Sequence, residues 1–335
     1  MSPRVTGRVT IADVAELASV SKTTVSHVLS GNRPVALPTR ARVQEAIRDL
    51  GYRPDGLARS LRTRRTQTVA LMIPDIANPF YPLVARGLED GLDGDYRTFI
   101  CNTDAIPDRE RDFLHEVADR RADGIVLDSF TMEPEQIASA VPNGTQVVRI
   151  GTTVVDDPGY DTVHADDERG AYEATLHLIR KGHQKVAMIQ GPPGAGSARN
   201  AGYLNALDSG GLSLDAHLVE PGEWTRSGGA SAAERLLRLP DPPTAIFCAN
   251  DLMALGAMDT ARRLGLSIPE GLALIGFDNI EAAAMVSPPL TTVSNPAYET
   301  GLLAGVVLRE RMSQAEQGPP RTVTLPCRLV ERGTT

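Results

Sequence analysis

Lys22, Thr23, Ser26 and His27 are spaced so that a helix beginning near Ser21 would present all four on one side. Each can hydrogen-bond a base edge or a phosphate oxygen, so the chemistry on offer is nucleic-acid reading rather than bond breaking. A second group of polar residues follows apolar runs further along the chain: Asn78, Asp128, Arg199, Asn250 and Asp278. Phe80 and Trp224 would add flat apolar faces. Carboxylates, amides and a guanidinium beside aromatic rings suit a polyhydroxylated or otherwise polar small molecule. For Trp224, the only tryptophan, a core or lobe-surface position is the competing reading.

Catalytic and metal chemistry find no candidate. Gly191-Pro192-Pro193-Gly194-Ala195-Gly196 lacks the Lys-Ser/Thr pair of a phosphate-cradling loop and reads as a strand-to-helix connection. The six histidines form no H-E-x-x-H pair, and no G-x-S-x-G elbow appears. Asp166-Asp167-Glu168 resembles a magnesium cluster, but carboxylates before a helical pattern read better as its cap. No cofactor and no enzymatic activity are expected.

The elements that position the first group are short and local. Thr10 and Asp13 form a capping-box-like pair, and Ile11, Val14, Ala15 and Ala18 give one helix its buried face. Ser21 caps a second helix, which buries Val25, Val28 and Leu29. The residues between allow only a tight turn, so the two helices cross as a helix-turn-helix with the second helix in the major groove. A third helix from about Thr39 to Leu50 uses Val43, Ala46, Ile47 and Leu50, and Gly51 ends it. Beyond Pro54, Leu57, Ala58 and Leu61 line a helix too short to be stable alone.

Charge supports this division. The chain carries a net -8, yet residues 1–66 hold twelve Lys and Arg against five Asp and Glu, leaving 22 basic and 37 acidic residues beyond. A basic nucleic-acid module on an acidic body is the implied arrangement. Cys101, Cys248 and Cys327 are odd in number and lie in apolar runs, so reduced core thiols are expected. Neither a secretory leader pattern nor an apolar run near ~18 residues is present, so a cytoplasmic protein without membrane contact is expected.

From Val69 onward, short apolar strands alternate with amphipathic helices in two sets: first Val69–Ile73, Thr98–Cys101, Gly124–Leu127 and Val147–Ile150, then Val186–Ile189, Ala245–Cys248 and Leu272–Ile275. Such alternation implies two parallel sheets covered by helices, with a ligand outside the carboxyl ends of the strands. Thr322–Leu325 reads as the last strand.

Thr10-Ile11-Ala12-Asp13-Val14-Ala15, Val20-Ser21-Lys22-Thr23-Thr24-Val25-Ser26-His27-Val28-Leu29 and Gly51-Tyr52-Arg53-Pro54 with Ala58-Arg59-Ser60-Leu61 resemble the LacI/GalR family of ligand-responsive transcription regulators. Asn78-Pro79-Phe80-Tyr81, Ser197 to Tyr203, Asn250 to Gly256, Gly276-Phe277-Asp278 and Pro288 to Val293 extend the likeness through almost the whole chain. The resemblance implies operator contacts from Thr10, Ser21, Lys22, Thr23, Thr24, Ser26, His27, Asn32 and Tyr52. It also implies minor-groove contacts from Leu57, Ala58 and Leu61, with Leu61 as the wedge. Arg199, Asn250 and Asp278 would hydrogen-bond the effector, with Asn78 and Asp128 nearby and Phe80 and Trp224 flanking it. Three departures stand out: Ser19 replaces the usual turn glycine, Ala36 a helix-capping serine, and His27 a position often held by arginine.

The expected fold is an all-α helix-turn-helix DNA-binding domain (1–53) and a hinge helix and linker (54–66), followed by an α/β periplasmic-binding-protein-like core of two doubly wound lobes (67–335). One lobe would span 67–165 and 294–323, the other 166–293 and 324–335. The expected function is that of a sequence-specific repressor. A homodimer would bind pseudo-palindromic double-stranded operator DNA under control of a small effector, a carbohydrate. A purine- or nucleoside-responsive regulator, an activator and a solute-binding receptor are the alternatives.

Overall fold

A computed structural model describes residues 9–30, 33–52, 65–129, 132, 134–141, 144–151, 159–192, 196–315 and 317–335. Asn32, Arg53, Leu57, Ala58 and Leu61, and with them the expected hinge helix, lie outside the described residues. The chain divides into two compact units, Met1–Thr66 and Gln67–Thr335.

In the first unit, α1 (Ile11–Leu17), α2 (Lys22–Ser30) and α3 (Leu37–Leu50) close around Val14, Ala15, Ala18, Val25, Val28, Val43 and Ala46. The Asp13 carboxylate accepts the Thr10 backbone N–H at 2.7 Å and the Thr10 hydroxyl at 2.8 Å. The turn is made by Ser19 at φ 53°, which sends the Val20 N–H back to the Ala15 carbonyl at 2.9 Å. That conformation is left-handed, and serine holds it where glycine would do so without a steric cost. Helix α3 begins two residues earlier than periodicity implies: Ala36 is the N-cap, without a side-chain bond, and Pro38 lies in the first turn. Gly51 ends it at φ 61°.

Among the described residues, the second unit holds two six-stranded sheets. The first runs in the order β11-β5-β4-β3-β1-β2, where β1 is Thr68–Ile73, β2 Arg97–Asn102, β3 Gly124–Leu127, β4 Gln146–Ile150, β5 Asp161–Ala165 and β11 Thr322–Leu325, all parallel. The second runs β12-β10-β9-β8-β6-β7, with β6 Val186–Gln190, β7 Val219–Pro221, β8 Ala245–Cys248, β9 Ala273–Asp278, β10 Thr291–Ser294 and β12 Arg328–Val330. Only β12 is antiparallel, pairing with β10. Chain direction along each sheet reverses at β1 and at β6, the switch points where ligands bind in such folds.

Thr322–Leu325 is therefore not the last strand. Arg328–Val330 follows it after Pro326-Cys327, in the other sheet; three residues behind a proline carry no alternation to read. The strands Asp161–Ala165, Val219–Pro221 and Thr291–Ser294 also lie outside the apolar runs. The chain passes between sheets three times, after β5, after β10 and after β11.

Two helices aim their first residues at the cleft between the sheets. These are α4 (Phe80–Gly91) and the helix Ala297–Met312, which pack backbone to backbone. An added Cβ at Gly87 would strike the Tyr298 carbonyl oxygen, and one at Gly301 the Val84 carbonyl oxygen. Cys101 and Cys248 are buried and all three thiols are free.

Candidate functional site

Residues at or just after the ends of β1, β3, β4, β5, β8, β9 and β10 line one space. The cleft holds about 830 Å³ of empty volume, its mouth included, and its walls come from both sheets. Asn78, Phe80, Asp128, Arg199, Trp224, Asn250 and Asp278, the seven residues singled out for a small molecule, all line it. Tyr81, Asp167, Asn295 and Thr300 line it too and were not on that list.

Arg199 is the centre of the polar wall. It sits in the first turn of the helix Ser197–Ser209, and its Nε donates to Asp167 Oδ2 at 3.0 Å. Its Nη2 lies 3.3 Å from Asp278 Oδ1, and its Nη1 donates to the Ala249 carbonyl. The guanidinium carbon stands 3.9 Å over the Phe277 ring, a cation–π contact, and 5.5 Å from that of Trp224. Burial works against its charge, but Asp167 and Asp278 outweigh it and raise its pKa further.

Asp166 does cap the helix Asp167–Arg180, accepting the Arg169 N–H at 3.1 Å, as the acid triplet implied. Asp167 departs from that reading: it is buried and turned to Arg199. No local signal separates it from its neighbours, because its partner lies 32 residues away.

On the opposite wall, the Tyr81 hydroxyl donates to Asp128 Oδ2 at 2.9 Å. Burial pushes the Asp128 carboxyl up to about 7, the Tyr81 bond opposing and the nearby Glu110 adding. Asp278 is likewise pushed up to about 6 by burial, with Arg199 opposing. Phe80 meets Tyr81 edge-on at 5.2 Å between ring centres.

Two strained pairs lie at the cleft. Glu223 and Trp224 have φ of 56° and 59°, and Asp278 and Asn279 have 102° and 57°. Non-glycine residues in such conformations persist only where surroundings over-determine them. Asn250 Nδ2 donates to the Trp224 carbonyl at 3.0 Å, and Arg332 Nη2 to Asn279 Oδ1 at 2.7 Å. The two readings of Trp224 thus converge: it is half-buried against the core and also walls the cleft.

In the first unit, Lys22 and Thr23 are exposed on α2, while Ser26 and His27 are half-buried. The Ser21 hydroxyl accepts the Thr24 N–H at 3.1 Å and lies 2.9 Å from the Thr24 hydroxyl, so both serve first as the cap of α2. Thr10 is bound to Asp13, and Tyr52 packs on the three-helix core. Among the described residues no cluster of His, Cys, Asp or Glu could hold a metal ion, and no helix is long and apolar enough to cross a membrane.

A helix-turn-helix joined to a two-lobed α/β core with a polar cleft at its switch points defines a ligand-responsive DNA-binding regulator. Residues 10–55 match the model for bacterial regulatory proteins of the lacI family, and residues 175–335 that for a periplasmic binding protein-like domain. The chain is 38% identical over 332 residues to catabolite control protein A of Priestia megaterium, covering 98% of this chain and 99% of that one. It is 36% identical over 306 residues to the HTH-type transcriptional repressor PurR of Aliivibrio salmonicida, covering 90% and 92%. Among solved structures, the lac repressor dimer bound to operator and the anti-inducer ONPF superposes with a TM-score of 0.88 at 25% identity, covering 98% and 99%. The CelR–cellobiose complex gives 0.74 at 31% identity, covering 98% and 100%. The chain belongs to the LacI family. It is a DNA-binding transcriptional repressor with an effector-binding core, and its relatives are regulators rather than enzymes.

Proposed function

We propose that a sugar or sugar derivative bound between Arg199, Asp278 and Asn250, with Phe80 and Trp224 on its apolar faces, controls operator affinity. The observation that carries this reading is the Asp167–Arg199–Asp278 triad, held rigid beside two aromatic rings in a cleft built from both sheets. Alternating apolar and polar faces match a pyranose or furanose, which is apolar above its ring and hydroxylated at its edge. Two similar structures hold sugars: CelR carries cellobiose, and a LacI family regulator from Enterococcus faecium carries ribose. A purine or nucleoside would use the same two aromatic faces, and is the second reading.

The DNA-bound species is a homodimer, because one helix-turn-helix reads a half-site and a pseudo-palindromic operator needs two. Lys22, Thr23, Ser26 and His27 read the bases, while residues 54–66 form the hinge that makes or breaks specific binding. The ligand acts by population shift, holding the lobes in the arrangement that favours one hinge state.

The test is a thermal-shift screen of the full chain against neutral sugars, sugar derivatives, purines and nucleosides, repeated on Asp278→Asn. A ligand that binds the folded state raises the melting temperature by mass action. The expected hit is a sugar whose shift is lost in Asp278→Asn. A hit whose shift is unchanged there moves the effector site out of this cleft.

A further inference from the structure

We infer that Arg332 is a positioning residue for the cleft: its guanidinium fixes the Asp278–Asn279 turn and so keeps the Asp278 carboxylate on Arg199. This deepens the reading of the cleft as the effector site and rests on it. Arg332 does not line the cleft, so it acts on a ligand only through the turn.

The turn needs an outside hold. Asp278 ends β9 at φ 102° and Asn279 follows at φ 57°, two consecutive side-chain-bearing residues in a region that favours glycine. The cleft contacts of Asp278 are long. Its Oδ1 lies 3.3 Å from Arg199 Nη2 and accepts from Asn295 Nδ2 at 3.4 Å. Bonds of that length are weak, and they do not by themselves keep two strained residues in place. If either φ relaxed to the extended region, the carboxylate would leave Arg199.

Arg332 supplies the hold with short bonds. Its Nη2 donates to Asn279 Oδ1 at 2.7 Å and its Nη1 to the Leu290 carbonyl at 2.7 Å, so one planar fork ties the turn to the residue before β10. The base of the fork is itself fixed. The Arg332 N–H donates to Thr291 Oγ1 at 2.9 Å and the Gly333 N–H to the Pro289 carbonyl at 2.9 Å. The buried Thr334 donates its hydroxyl to the Leu274 carbonyl at 2.6 Å, on the same strand that carries Asp278. From the other side, buried Asp251 accepts the Ile280 N–H at 2.8 Å and the Thr292 hydroxyl at 2.5 Å. Asn279 therefore sits between two anchored neighbours, and the Arg332 bond is the one that grips its side chain.

The test follows the Asp278 carboxyl itself, by carbon-13 NMR of the full chain with labelled aspartate, the signal being assigned by its loss in Asp278→Asn. Its titration midpoint, near 6 in the parent chain, reports how well Arg199 and burial act on it. Asp167, Asp251 and Arg199, the charged groups facing it, are the same in every variant compared. Arg332→Gln and Asn279→Ala should each move the midpoint in the same direction by about half a pH unit or more. The double variant should move it no further than the larger single change, because both break one bond. An unmoved midpoint in Arg332→Gln overturns the inference. So does movement there without movement in Asn279→Ala, which keeps the guanidinium and its charge, and so do additive shifts. Should Arg332→Gln fail to fold, Asn279→Ala decides alone. No ligand enters this measurement. An unmoved Asp278 removes the positioning role and leaves the effector reading intact, whereas a thermal-shift hit insensitive to Asp278→Asn removes the effector reading and leaves the Arg332 bond.

Discussion

Arg199 Nε donates to Asp167 Oδ2 at 3.0 Å, with both side chains about 10% exposed, so a cation on one helix is locked to the first turn of the helix packed beside it. The same guanidinium reaches Asp278 at the end of β9. Three elements of one lobe therefore converge on one charge.

Arg199→Ala should cost roughly 3–5 kcal/mol of stability, because it leaves two buried carboxylates without their counter-charge. Urea unfolding of the core checks this. Adding Asp278→Asn to Arg199→Ala should recover part of the loss, since neighbours sharing one network are not additive. A loss under about 1 kcal/mol in the single variant would show that the triad is solvated rather than buried.

The pH profile of stability follows from the raised carboxyls. Asp128 is held near 7 in the folded chain, well above the roughly 3.9 of an unfolded aspartate. Its contribution is thus complete below about pH 4 and is lost as pH rises through about 7. Asp278, near 6, and Asp251, pushed up to about 8 by burial, act in the same direction. Asp128→Asn keeps an acceptor for Tyr81 and should remove on the order of 2 kcal/mol of that decline between pH 5 and 8, read by thermal unfolding. An unchanged slope would mean that Asp128 is ionised throughout.

Two substitutions should stabilise the helix-turn-helix unit. Ser19→Gly relieves the left-handed φ of 53° by about 0.5–1 kcal/mol. Ala36→Ser provides the missing cap of Leu37–Leu50, worth about 0.5–2 kcal/mol. Denaturation followed by hydrogen exchange at amides of α1 to α3 measures both, and a destabilised Ser19→Gly chain would contradict the strain assignment.

Operator binding should weaken steeply with salt, and Lys22→Ala should reduce the log–log slope by about 1. His27→Ala should alter base preference at one operator position more than the slope. Leu61→Ala should weaken specific binding far more than non-specific binding; equal losses would remove the wedge role. Fluorescence anisotropy on operator and random duplexes reads all three.

Much of this chain was legible because its signals are local. Thr10 with Asp13, Ser21 with Thr24 and Gly51 at a helix end are contacts or conformations within a few residues, so their sequence spacing is also their geometry. The buried strands of the core announce themselves as apolar runs for the same reason, and residues following such strands point to the cleft by topology alone. Asp167, Asn295 and β12 were not legible. Asp167 looks like any first-turn acid until Arg199 is brought to it from 32 residues away. Asn295 gains its place only because the chain crosses between lobes at that point, and Arg328–Val330 is a strand only because Thr291–Ser294 lies beside it. Sequence by itself thus determined the helix-turn-helix, the parallel strands of the two sheets and much of the cleft wall. Tertiary structure alone decided which carboxylates are buried and which of them share the Arg199 guanidinium. The reason is physical: burial and pairing depend on neighbours that only folding brings near.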